Sequence, residues 1–110
     1  MQAFKYSGSK HFEVLLGKAY YNNGFFNVPQ KYGGLFAADK EKIEIQLGDD
    51  PQKLINGTID RSSNNSGAPR IRCGVIYTRW VQRQFEIGDC MYVRVLSPGK
   101  IQLSVHTELR

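Results

Sequence analysis

Short stretches of this chain alternate apolar and polar residues with the two-residue period of half-buried strands. In His11–Gly17, HFEVLLG, Phe12, Val14 and Leu16 alternate with His11, Glu13 and Leu15. Lys42–Leu47, KIEIQL, is the cleanest case, with Ile43, Ile45 and Leu47 expected inward and Lys42, Glu44 and Gln46 outward. Near the end, Cys90–Leu96 and Ile101–Val105 alternate on either side of Ser97-Pro98-Gly99-Lys100, which predicts a closing hairpin.

The intervening pattern is less regular. Lys18–Gly24, KAYYNNG, reads as the end of the first strand and a turn, with Phe25–Val28 as its hairpin partner and Pro29 as the stop. Strand alternation puts one of Phe25 and Phe26 in the core and the other outside. Pro29 then suits the first position of a short helix, PQKYGGLF, with Tyr32, Leu35 and Phe36 on one side. Leu54–Ile59 is a strand interrupted at Asn56-Gly57, and Arg70–Ile76 is another, with Ile71 and Cys73 facing one way and Arg70 and Arg72 the other. Thr78 is read as the N-cap of a helix Arg79–Phe85, whose Trp80 plugs one mouth of a small barrel. About seven short strands and two short helices, with turn signals every ten or so residues, predict a mainly β, open pseudobarrel.

Length and composition narrow the class without changing that picture. A chain of 110 residues is one domain, large enough to fold without staples. The N-terminus has no apolar core of a secretory signal, and no apolar run reaches bilayer length. The expected setting is cytoplasmic, or nuclear in a plant. The two cysteines, Cys73 and Cys90, are read as buried free thiols of a reducing compartment. Asn56-Gly57-Thr58 and Asn64-Asn65-Ser66 are then chance matches to a glycosylation acceptor.

Charge adds the first functional signal. The net charge is +5, but residues 39–60 carry an excess of acids while Arg61–Arg83, RSSNNSGAPRIRCGVIYTRWVQR, holds five arginines and no acid. Arginine forks, small polar side chains and exposed backbone N–H groups together suit a phosphate-facing surface. If folding sets Lys18 and Lys31 beside this stretch, one face is basic and the other acidic, as in nucleic-acid binders.

Catalytic residues are scarce. His11 and His106 each lack a neighbouring ligand at metal-binding spacing, Asp49-Asp50 is a turn, Ser7-Gly8-Ser9 is a terminal linker, and no glycine pattern fits a phosphate loop. The chain is therefore expected not to be an enzyme and to need no cofactor or metal. Two alternatives stay open: a single-stranded nucleic-acid barrel stacking bases on Tyr20, Tyr21 and Phe25, and a small metal-dependent nuclease built around Glu44.

An ordered set of motifs goes further. Phe26-Asn27-Val28-Pro29, then Leu35-Phe36, the alternating IEIQL, Trp80-Val81 and Phe85, and Ile87-Gly88-Asp89 before two closing strands resemble the B-three DNA-binding domain. Plant transcription factors and the DNA-recognition domains of several restriction endonucleases carry that domain. The resemblance spans residues 11–105 and implies a seven-stranded open pseudobarrel gripping the DNA major groove with two arms. It implies a DNA-binding unit over 11–106, flanked by an N-terminal extension, 1–10, and a C-terminal tail, 107–110.

One arm maps to Lys18–Asn23, with Lys31 near it, and the other to Arg61–Arg72. Asn22, Asn23, Asn64, Asn65, Arg70 and Arg72 are the candidates for base edges, since asparagine suits adenine and arginine suits guanine. Lys18, Lys31, Arg61, Ser66 and Arg79 are the candidates for phosphates. Tyr20 and Tyr21 complete the first arm. The implied partners are double-stranded DNA and a nuclease domain or subunit, with no membrane.

Overall fold

In a computed structural model, which describes residues 10–105, seven strands form a single sheet that curls until it nearly closes into a barrel. The strands are β1 (Lys10–Leu15), β2 (Phe25–Asn27), β3 (Lys42–Leu47), β4 (Leu54–Asp60), β5 (Arg70–Arg72), β6 (Cys90–Ser97) and β7 (Lys100–Ser104). Helix α1 covers Lys18–Asn22, a 3-10 helix covers Gln30–Leu35, and helix α2 covers Val75–Gln84. Residues 1–9 of the expected N-terminal extension, with the Ser7–Ser9 linker, the C-terminal tail and His106 lie outside the described residues, whereas Lys10 belongs to β1, paired with Val95.

Alternation decides what the barrel encloses. Phe12, Val14 and Leu16 from the first strand region, Ile43, Ile45 and Leu47 from β3, and Met91, Val93 and Val95 from β6 are all buried together. Phe26 is fully buried while Phe25 is half-buried, as the two-residue period requires. Trp80, on α2, is buried in the core, edge-on to Phe85 with ring centroids 5.6 Å apart. No helix among the described residues is long and apolar enough to cross a membrane.

Strand order departs from the expected first hairpin. The order is β1-β6-β7-β3-β4-β5-β2, so β1 and β2 occupy opposite edges, β1 against β6 and β2 against β5. The cause is α1, where a strand end and turn were expected. Gly17 is extended, the Tyr21 amide donates to its carbonyl at 3.0 Å, and the helix carries the chain from one sheet edge to the other. Among the described residues, β3 and β7 are the one pair of neighbouring strands that runs parallel.

Other boundaries shift for identifiable reasons. β5 ends at Arg72 because Gly74 adopts φ 89°, a left-handed turn open to glycine, and α2 starts at Val75. Thr78 is thus inside the helix, its hydroxyl donating to the Gly74 carbonyl at 3.2 Å, and Phe85 is the residue that ends it. Cys73 is buried, but Val75 and Ile76 are exposed helix residues and not barrel wall.

β4 passes unbroken through Asn56-Gly57 because a side chain at Gly57 would not fit. A Cβ there would lie 2.5 Å from the Arg72 carbonyl oxygen and 2.9 Å from Ile45 Cδ1. Gln46, expected outward, is buried with Gln102, and both side-chain amides donate to the Gly48 carbonyl, at 2.9 and 3.0 Å. That shared acceptor satisfies two amides that would otherwise be stranded. Cys90 is exposed, not buried as expected.

Candidate nucleic-acid interface

Pairing of β2 with β5 creates a small outward surface. Phe25 stands opposite Arg72, Asn27 opposite Arg70, and β4 extends the two rows with Thr58 and Asp60. Phe26, Ile71 and Ile59 make the matching inner row and are fully buried, so the outer row is fixed by the core behind it. α1 runs into β2 at Phe25, and the 61–69 loop enters β5 at Arg70, which faces the far end of β2. The two expected arms therefore sit at opposite ends of this patch.

The first arm is braced against α2. Tyr21 donates its hydroxyl proton to the Phe85 carbonyl at 3.1 Å, and Gln82 donates to the Tyr21 carbonyl and to Asn22 Oδ1, both at 3.1 Å. Asn22 in turn donates to the Lys18 carbonyl at 3.0 Å. Tyr20 packs edge-on against Phe25, with centroids 5.7 Å apart. These contacts make both tyrosines supports for the arm. Lys18 and Asn23 remain exposed on it, and Arg79 is exposed on α2 one turn before Gln82.

The second arm is anchored at its root by Arg61. Its guanidinium donates to the carbonyls of Gly33 at 2.9 Å, Phe36 at 3.0 Å, Ala37 at 3.1 and 3.2 Å and Gly67 at 3.5 Å. It ties the loop to the 3-10 helix and is turned into the protein. Lys31, on that same 3-10 helix, accordingly stands near the second arm instead of the first, with its ammonium 5.3 Å from the Tyr32 ring centroid.

Asp60 organises the start of the loop. Its carboxylate accepts from the Ser62 amide and hydroxyl, each at 2.9 Å, from the Ser63 hydroxyl at 2.5 Å and from Arg72 Nε at 2.9 Å. With Arg72 Nη2 also 2.8 Å away, these donors hold the carboxyl well below the usual carboxylate range, the Ser63 bond contributing most. Arg72 Nη2 donates further to Ser63 Oγ at 3.1 Å.

Asn27 organises the end of the loop. Its Oδ1 accepts from Asn64 Nδ2 at 3.2 Å and from Arg70 Nε at 3.0 Å, while Asn64 also donates to the Ala68 carbonyl at 3.0 Å. Ser66 Oγ accepts the Ala68 amide at 3.2 Å, and Asn65 is exposed at the tip. The Arg70 guanidinium lies over the Phe25 ring, 4.3 Å from its centroid, an attraction of the cation to the π-face.

The sequence-derived candidates are thus divided. Arg70, Arg72, Asn64, Asn65 and Ser66 share the second arm, Lys18, Asn22 and Asn23 the first, and Arg61 is half-buried at the root of the second, bonded to backbone carbonyls. Asn27, Asp60 and Gln82 shape the surface but were not among the candidates. Their signal is cross-strand or interhelical register, which appears only once β2 is paired with β5 and α1 with α2.

No protein-family model matches the chain, and no curated protein matches it. Among solved structures it is similar to the N-terminal domain of Helicobacter pylori LlaJI.R1, with a TM-score of 0.64 over 86% of this chain and 78% of that one. At 11% identity, the likeness is one of fold.

Proposed function

We propose that this chain binds double-stranded DNA sequence-specifically through the major groove, as a B-three-type recognition or effector module of a restriction-modification enzyme. The observation that carries the reading is the β2–β5 patch, an arginine- and asparagine-bearing surface flanked by two braced arms. Such a surface offers forked donors to base edges at its centre and cations to phosphates at its margins. The fold likeness to the N-terminal domain of LlaJI.R1, a restriction-modification component, fits a DNA-related role.

In this proposal the domain supplies recognition and a partner nuclease domain or subunit supplies cleavage. The single-strand alternative is the weaker one, because Tyr21 is bonded to the Phe85 carbonyl and the Phe25 ring is covered by Arg70. The first contact gives Tyr21 a bracing role, and the second occupies a face of Phe25 on which a base would have to stack.

Selection from a random duplex pool with the purified 110-residue chain, read by sequencing, tests the proposal. Enrichment of a defined site at low salt is the expected result. Equal recovery of every sequence, or preference for single strands over duplex, would overturn it.

A further inference from the structure

Arg70 and Arg72 leave β5 on the same face, two residues apart, yet their guanidinium groups are held differently. Arg72 meets Asp60 along its Nε/Nη2 edge, and Nη2 donates again to Ser63 Oγ. No complete pair of parallel donors is left on it, and a carboxylate neutralises its charge. Arg70 is bound only at Nε, by Asn27, and is supported from one side by the Phe25 ring. Among the described residues, its two terminal nitrogens have no hydrogen-bond partner and its charge no ion pair.

Resting on the duplex-binding reading above, we infer that Arg70 alone is the guanine-reading arginine of this surface, presenting its terminal fork to the O6/N7 edge of one guanine. Asn27 and Phe25 are its positioning residues, and Arg72 is a strut of the arm. A bidentate contact requires both terminal N–H groups of the guanidinium to reach the base edge in one plane. An acceptor at Nε and a ring against one face fix that plane before DNA arrives, so less side-chain freedom is lost on binding. Asn27 is suited to the task because its Oδ1 also receives Asn64 from the loop, which couples the aim of Arg70 to the position of the arm.

The test uses the site selected from the duplex pool, with each guanine replaced in turn by 7-deazaguanine. That base pairs normally with cytosine but lacks the N7 acceptor. The wild-type chain is expected to lose about tenfold or more in affinity at one guanine, the scale of one forked contact. Arg70→Ala should bind the unmodified site more weakly and be indifferent to that replacement, whereas Arg72→Ala should retain the full loss. Asn27→Ala should shrink the guanine to 7-deazaguanine ratio several-fold, and Asn27→Asp, which sets a carboxylate against Arg70 as Asp60 is set against Arg72, should not restore it.

The inference is overturned if Arg70→Ala keeps the full sensitivity, if Arg72→Ala loses it, or if a selected site contains no sensitive guanine. In each of these cases the duplex reading survives. A wild-type chain that selects no site at all would sink both.

Discussion

Tyr77 fills the core beneath β2, its ring 6.2 Å from that of Phe26, with a hydroxyl that is fully buried and meets no partner among the described residues. Burial pushes its pKa up, with Cys73 and Tyr20 adding to the shift, so the group stays neutral. A buried donor without an acceptor costs about 1–3 kcal/mol of desolvation, whereas the ring alone packs without that penalty. Tyr77→Phe is therefore expected to raise unfolding free energy by about 1 kcal/mol in urea titration. A loss of stability in that variant would mean that the hydroxyl has a partner in solution. Tyr77 was not legible as a core residue, because Gly74-Val75-Ile76-Tyr77 has the β-branched content of a strand. Only the φ of 89° at Gly74 places Tyr77, Trp80 and Val81 on one buried helix face. Phe12, Val14, Ile43 and Ile45 were legible, since strand alternation is a local property of sequence.

At the scale of one element, the arm between β4 and β5 is held at its start by Asp60, and the pH dependence of the fold follows from that carboxylate. Its folded pKa is depressed below the ordinary 3.8, with the Ser63 and Ser62 bonds as the leading causes and Arg72 behind them. Between the unfolded and folded values the unfolded chain binds more protons. Stability from this site is complete above about pH 4 and falls as the pH drops below it. The stability gap between the wild type and Asp60→Asn should thus be widest near neutrality and narrow on acidification, measured by denaturation at pH 6 and pH 2. A gap of equal size at both would remove Asp60 as the source. The sequence marked this arm as basic and loop-like, which is how it lies. It did not reveal that Arg61 and Arg72 are turned to partners within the protein, because those partners, Ala37, Gly33 and Asp60, are brought near only by the sheet and the 3-10 helix.

Across the whole molecule, the number of strands and the mainly β class were readable from period and turns, whereas the edges of the sheet were not. Placing β1 and β2 at opposite edges depends on α1, and the five residues Lys18–Asn22 are too few to declare themselves as a helix without Gln82 and Phe85 to pack on. That crossing also sets the distribution of charge, since it puts Lys18 at one end of the β2–β5 patch and the arginine arm at the other. If the two arms straddle a duplex, Lys18 is a phosphate contact whose loss releases one fewer counterion. Lys18→Ala should then weaken binding to all sequences alike and reduce the slope of log affinity against log salt by about 0.9. Arg61→Met removes one charge as well, but from a guanidinium bonded to carbonyls at the root of the loop. It should lower thermal stability and leave the salt slope of the surviving folded protein close to that of the wild type. Equal slope changes from the two variants would show that charge acts through the overall field of the molecule, and the assignment of Lys18 to a phosphate would fall with it.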